Sequence, residues 1–214
     1  MKRDMDFIKT IVKKFAFLLV LLGCQLQAET PEHIKVADRL TYEFVTQVAQ
    51  DYDLHCYGSG GAMATEIKSI ALSLWTNKEL NAEDFRELVV RLTETFLKKI
   101  NQCENIDLYL AKYPATHYNI DIIIESTKKK VSSSDEVYQC FKTKNKLRYC
   151  KCYDAEKRDI ETLYTETYEE ALAIVQAQNP GVDLAARPTK EQAQKWKSEK
   201  VKTNWPAFLK LLLR

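Results

Sequence analysis

From Asn81 onward the apolar residues Phe85, Leu88, Leu92, Phe96 and Ile100 recur every three or four positions, whereas the segments on either side alternate with a period of two. A period of 3.6 marks one buried stripe of a helix and a period of two marks one buried face of a strand. A chain carrying both must pack helices against a sheet. Asn81 reads as the N-cap of this helix, with Glu83 and Asp84 in its first turn and Lys98 and Lys99 in its last. Those charges oppose the partial charges at the two helix ends.

Further elements follow from the same two periods. Ile34, Ala37, Leu40, Phe44 and Val48 define an amphipathic helix over Glu32 to Gln50, whose other face carries Lys35, Asp38, Arg39, Glu43 and Gln47. Leu54 to Tyr57 reads as a short strand, and Ile67 to Asn77 as a second, with Ile70, Leu72 and Leu74 on one face. Asn105 to Lys112 adds a helical turn before Tyr113-Pro114. Ile120, Ile122 and Ile124 make a third strand, which ends in a polar loop through Ser132-Ser133-Ser134-Asp135. Val137 to Phe141 and Leu147 to Tyr153 form a hairpin around Lys144-Asn145. A last helix spans Glu166 to Ala177, with Tyr168, Ala171, Leu172 and Val175 inward, and Asn179-Pro180-Gly181 stops it. The expectation is an α+β fold in the order α-β-β-α-β-β-β-α, with a mostly antiparallel sheet of about four to five strands and helices on one face. It occupies 32–178 as a single domain, without internal repeats.

Ahead of that domain, residues 1–28 run from a charged head to an apolar run and then to small residues, the order of a secretory signal. The apolar run from Phe15 to Leu22 is eight residues long, against the ~20 needed to cross a hydrocarbon core. Leu21-Leu22-Gly23-Cys24 resembles the lipobox of bacterial lipoproteins, in which cleavage frees a cysteine for acylation. Cys24 is therefore the expected lipidation site, and membrane lipid the first expected partner. Simple cleavage after Ala28 and an uncleaved anchor are the alternatives.

Without residues 1–24 the chain has 27 basic and 28 acidic residues. This balance argues against a surface built for nucleic acid, which needs a basic face to displace counterions from phosphates. The charge gathers only at the end: residues 182–214 hold eight Lys or Arg against three acids and close on Trp205-Pro206-Ala207-Phe208-Leu209 and a Leu-rich terminus. That basic, partly helical tail (179–214) suits a membrane surface or a partner groove, or docks back on its own domain.

Six cysteines are present, and either cleavage removes or modifies Cys24. The five that remain leave at least one thiol without an intramolecular partner, in a compartment where the others can pair. Cys150 and Cys152 share one face of a strand too far apart to bond each other. A three-residue loop at Lys144-Asn145-Lys146 would set Cys140 opposite Cys150 for a cross-strand disulfide. The same hairpin would converge Cys140, Cys150 and Cys152 into most of a zinc shell, although the spacing C-x9-C-x-C lacks the usual knuckle and no histidine is near. Burial as small apolar side chains is the plainer role.

The chain has five glycines, three of them in Gly58-Ser59-Gly60-Gly61. This segment reads as a connection between strands and as the candidate ligand-binding loop, since glycine lets backbone amides approach an anion. Neither a dinucleotide fingerprint nor a P-loop is present, and no cofactor is expected. Cys56 beside it invites a thiol-enzyme reading, with a base drawn from His117 or His33, because neighbouring His55 points to the other face of a strand. The run Glu166, Glu169, Glu170 reads as a solvated helix face.

The segment Asp53-Leu54-His55-Cys56-Tyr57-Gly58-Ser59-Gly60-Gly61-Ala62-Met63, with Tyr113-Pro114 and Thr162-Leu163-Tyr164, resembles a family of uncharacterised exported or lipid-anchored proteins of chlamydia-like bacteria. The likeness spans roughly residues 39–176. It implies export and a small α+β domain, and brings no catalytic residues. The expected role is non-enzymatic: an exported, lipid-anchored envelope protein that binds an envelope partner or serves a structural role in the envelope. A thiol enzyme centred on Cys56 and a metal module on Cys140, Cys150 and Cys152 are the alternatives.

Overall fold

The computed structural model describes residues 29–127, 137–154 and 159–197, the side chains of 152–154 and 159 excepted. The leader with Cys24, most of the polar stretch after Ser126, and the apolar C-terminal end lie outside the described residues. The chain divides into a short N-terminal unit, Met1–Glu32, and a body from His33 onward; all that follows concerns the body.

Its elements run α1 (Glu32–Tyr52), β1 (His55–Ala62), β2 (Ser69–Thr76), α2 (Ala82–Asn101), β3 (Ile120–Ser126), β4 (Gln139–Thr143), β5 (Lys146–Asp154), β6 (Asp159–Thr167), α3 (Tyr168–Gln178) and α4 (Lys190–Trp196), with 3-10 turns at Ile106–Leu108 and His117–Asn119. Asn81 caps α2 as its sequence predicts: its side chain accepts from the Asp84 amide at 2.8 Å, and Asp84 reciprocates on the Asn81 amide. Thr167 with Glu170 and Thr189 with Gln192 cap α3 and α4 in the same way. Each box satisfies donors that a helix start leaves open.

The strands form one six-stranded sheet in the order β1-β2-β3-β4-β5-β6. All neighbours are antiparallel except β2 and β3, which run parallel from Ile70↔Ile120 to Thr76↔Ser126. The class is α+β, but the sheet is mixed and larger than its sequence suggests. Two physical reasons account for the difference. The alternating pattern of β3 is the same in either direction, and the crossover through α2 is what makes it parallel to β2. Strand β6 is a Thr-rich edge strand that skips Leu163 in its pairing with β5, so it carries no regular apolar alternation to read.

Burial alternates strictly along β2 and β3. Ile70, Leu72, Leu74, Ile120, Ile122 and Ile124 face the helices and are almost wholly buried. Helix α2 lies against β3 and β4, and α3 against β5 and β6. Helix α1 joins the same core by stacking Phe44 on Phe96, ring centroids 4.3 Å apart. The core continues past Gln178: Leu184 and Trp196 are buried in it, and Arg187 reaches Asp51 on α1 at 2.7 Å. Among the described residues no helix is long and apolar enough to cross a membrane.

Candidate functional site

The described helices pack on one face of the sheet, and cross-strand register tells which residues share the opposite face; it is half-exposed along β2 and β3 and buried at Gln139 and Cys150. Gly58, Gly60 and Ala62 of β1 stand opposite Ser73, Ala71 and Ser69 of β2. Neighbouring strands bring Asp121, Ile123 and Glu125 of β3, then Gln139 and Phe141 of β4 and Arg148 of β5, onto the same face. The face therefore has a floor of small residues beside a ridge made by Ile123 and Phe141. Arg148 lies over the Phe141 ring at 5.0 Å, and the His55 and Trp75 rings approach to 4.7 Å at one end of the floor.

The reading of Gly58-Ser59-Gly60-Gly61 as a connecting loop is corrected. All four residues lie inside β1, and the turn comes later, where the Lys68 amide bonds the Ala62 carbonyl at 2.9 Å. Glycine is rare in strands because it packs nothing and costs backbone entropy; three in four positions therefore look like a turn. The three differ in what they need. Gly61 has φ +154°, and a Cβ there would stand 2.0 Å from the Ser69 carbonyl oxygen, so only glycine fits. At Gly58 a Cβ would meet Ser73 at an ordinary 3.7 Å, and at Gly60 it would meet nothing within 4 Å. The backbone does not demand glycine at either position. Their effect is to leave two positions of this face without a side chain.

Tyr57 occupies a bulge between Cys56 and Gly58. Its hydroxyl bonds the side chains of Glu125 and Ser73, and burial with the nearby Glu125 carboxylate pushes the phenol above its usual range, which keeps it protonated. Gln139 donates to the same Glu125. The floor is thus bordered by a fixed polar cluster.

The thiol sites fall elsewhere. Cys56 sits at the exposed β1 edge; its thiol donates to the Gly58 carbonyl at 3.3 Å, and burial pushes its pKa up, the opposite of an activated thiolate. The imidazoles are engaged elsewhere: His33 with the Met63 carbonyl at 2.8 Å, His55 with Asp53 at 3.5 Å, and His117 stacked on Tyr168 at 4.7 Å. In the hairpin the turn is the two residues Lys144-Asn145, not three, and Cys140 pairs with Tyr149 while Cys150 pairs with Gln139. One residue of slip moves a side chain to the other face. Cys140 therefore points into the core, where burial, ahead of the Glu166 carboxylate, raises its pKa well above normal. Cys150 lies on the opposite face near the Thr162 hydroxyl, 3.7 Å away. Cys140 and Cys150 do not converge, so the cross-strand disulfide and the shared zinc shell lose their geometry. The side chain of Cys152 lies outside the described residues. Among the described residues no three His, Cys, Asp or Glu side chains are grouped to hold a metal ion.

Two polar groups escape a reading of the sequence. Glu166 belongs to β6, not to a solvated helix face; it accepts from Arg86 at 2.8 Å and from the Tyr149 hydroxyl. Lys142 is fully buried on the core face of β4 and donates to the carbonyls of His117 and Ile120, with the Tyr168 ring 5.4 Å away. Burial lowers its pKa to about 8. The signal for Lys142 was in the alternation itself, since a residue two beyond inward-facing Cys140 also faces inward.

Comparison with known protein families, with curated proteins and with solved structures finds no match.

Proposed function

We propose that this chain is an exported envelope protein, tethered through an acylated Cys24, whose α+β domain binds a protein partner on the sheet face opposite the helices without catalysing a reaction. The observation that carries the reading is the bare strip at Gly58 and Gly60. The backbone accepts a side chain at both positions, yet both lack one, beside the Ile123–Phe141 ridge. A flat floor next to an apolar ridge suits a partner that lays its own surface across several strands, with aromatic and arginine anchors at the rim. The charged-apolar-small order of residues 1–28 and the lipobox-like Leu21-Leu22-Gly23-Cys24 support export and tethering.

A photo-crosslinking residue placed at Ser73 or Phe141 in producing cells tests the binding face, with Tyr42 on α1, 73% exposed, as the reference. The face reading expects a discrete adduct from the first two positions and none from Tyr42. Adduct loss on Gly60→Leu, with the fold retained, is the companion result. Equal labelling at all three positions removes the face from consideration. Mass spectrometry of the mature N-terminus tests the tether separately: a diacylated or triacylated Cys24 is expected, and an unmodified start at Glu29 overturns it.

A further inference from the structure

On the helix side, the polar faces of α1 and α2 enclose a groove of about 420 Å³, within the range of about 300–1,000 Å³ typical of small-ligand sites. Arg39 and Glu43 line it from α1, Lys98 and Lys99 from α2, and Gln47 and Gln102 add amides. Three cations and one carboxylate line it, and a second carboxylate, Asp183, pairs with one of the cations. Lys98 pairs with Asp183 at 3.1 Å and Lys99 with Glu43 at 2.6 Å, and both of those carboxylates are about half exposed. Exposed ion pairs of this kind are worth little, so an incoming anion exchanges for them at small cost. Among the described residues the Arg39 guanidinium makes no such carboxylate bond, although, behind the Lys99 bond, its charge helps to hold the Glu43 carboxyl below its usual range; it donates to the Cys103 sulfur at 3.7 Å, a weak acceptor. Thr95, 8% exposed, lines the groove wall, and its hydroxyl is buried without a hydrogen-bond partner. A buried hydroxyl left unpaired is costly.

We propose that this groove binds a phosphoryl group: Arg39 clasps it through its planar fork, Lys98 and Lys99 neutralise its second charge, and Cys103 lies at its edge. A guanidinium matches two phosphate oxygens at once, and ammonium groups act as point charges on the rest. The groove is larger than one phosphate, so the ligand carries an organic part. A soluble phosphorylated metabolite and a phospholipid headgroup present the same chemistry.

The mature protein is titrated at low ionic strength with sodium phosphate, with glycerol 3-phosphate and, as ionic-strength control, with sodium chloride. Melting temperature and the rate of Cys103 alkylation by iodoacetamide are followed. The expected result is a rise in melting temperature with both phosphates and not with chloride, together with slowing of Cys103 alkylation at least threefold while Cys56 alkylation is unchanged. Arg39→Gln, at an exposed position, weakens the response at least tenfold; Lys190→Gln, at an exposed position of α4, leaves it intact. Co-sedimentation with phosphatidylglycerol vesicles, but not phosphatidylcholine vesicles, that is lost in Arg39→Gln assigns the headgroup. A response to glycerol 3-phosphate without vesicle binding assigns the soluble ligand. No shift with either phosphate and no vesicle binding overturns the proposal, as does a response equal in Arg39→Gln, which marks general screening. None of these readouts depends on the sheet face or on Cys24.

Discussion

Lys142 occupies a core position that an aliphatic residue would fill more cheaply, and its ammonium is held there by the His117 and Ile120 carbonyls. Burial lowers its pKa from 10.5 to about 8. The unfolded chain therefore binds a proton that the folded chain does not between pH 8 and 10.5, and stability rises with pH across that window. The rise amounts to roughly 3 kcal/mol at 1.36 kcal/mol per unit. Denaturant melts of the wild type and Lys142→Met over that window should diverge by this amount, the wild type gaining; parallel curves would refute a buried lysine. His117 gives a slope of the same sign at lower pH. Burial, then Lys142, lowers its pKa from 6.5, so the unfolded chain takes up its proton first and stability falls as pH drops below 6.5. Cys56 yields a kinetic prediction. Its raised pKa leaves little thiolate at pH 7.5, so despite its exposure it should react with iodoacetamide more slowly than free cysteine. Faster reaction would restore the thiol-enzyme alternative.

At the scale of the element, the helix starts and the first strand show opposite kinds of information. Three helices begin at a side-chain cap that also takes part in a reciprocal box. Asn81→Ala should cost about 1 kcal/mol, read as a lower denaturation midpoint with an unchanged slope. Strand β1 has no such local signal. Its glycines disfavour a strand, and it exists because β2 supplies its hydrogen-bond partners and Ser69 closes over Gly61. Gly60→Leu should therefore be close to neutral for stability while it obstructs the face; a large loss of stability would mean that Gly60 serves the fold. Local chemistry thus made α2 and its cap legible, whereas β1 and β6 owe their conformation to neighbours on one side only.

Across the described body, the helix layer covers one face of the sheet and residues between Arg187 and Trp196 clasp that layer. Arg187 holds Asp51, Lys195 holds Glu87 at 2.8 Å, and Trp196 is buried against Tyr52. Removing the buried Trp196 side chain leaves a cavity beside Tyr52, and Trp196→Ala should cost about 3–5 kcal/mol, measured by chemical denaturation. If the loss is under 1 kcal/mol, the clasp is peripheral and the domain ends near Gln178.

What the sequence alone determined was everything written within one element: the apolar period of α1, α2 and β3, the Asn81 cap, the stop at Asn179-Pro180-Gly181, and the α+β class that follows from mixing two periods. What tertiary structure decided was everything that depends on a neighbour. The direction of β3 came from the crossover, the separation of Cys140 from Cys150 came from one residue of hairpin register, and the carbonyl partners of Lys142 and the Arg86 partner of Glu166 came from segments distant in sequence. The physical reason is the range of the forces involved. Capping and periodicity act over three or four residues, so a single segment carries them; register, facing and desolvation are set only when distant segments meet, and the glycine floor is visible only from there.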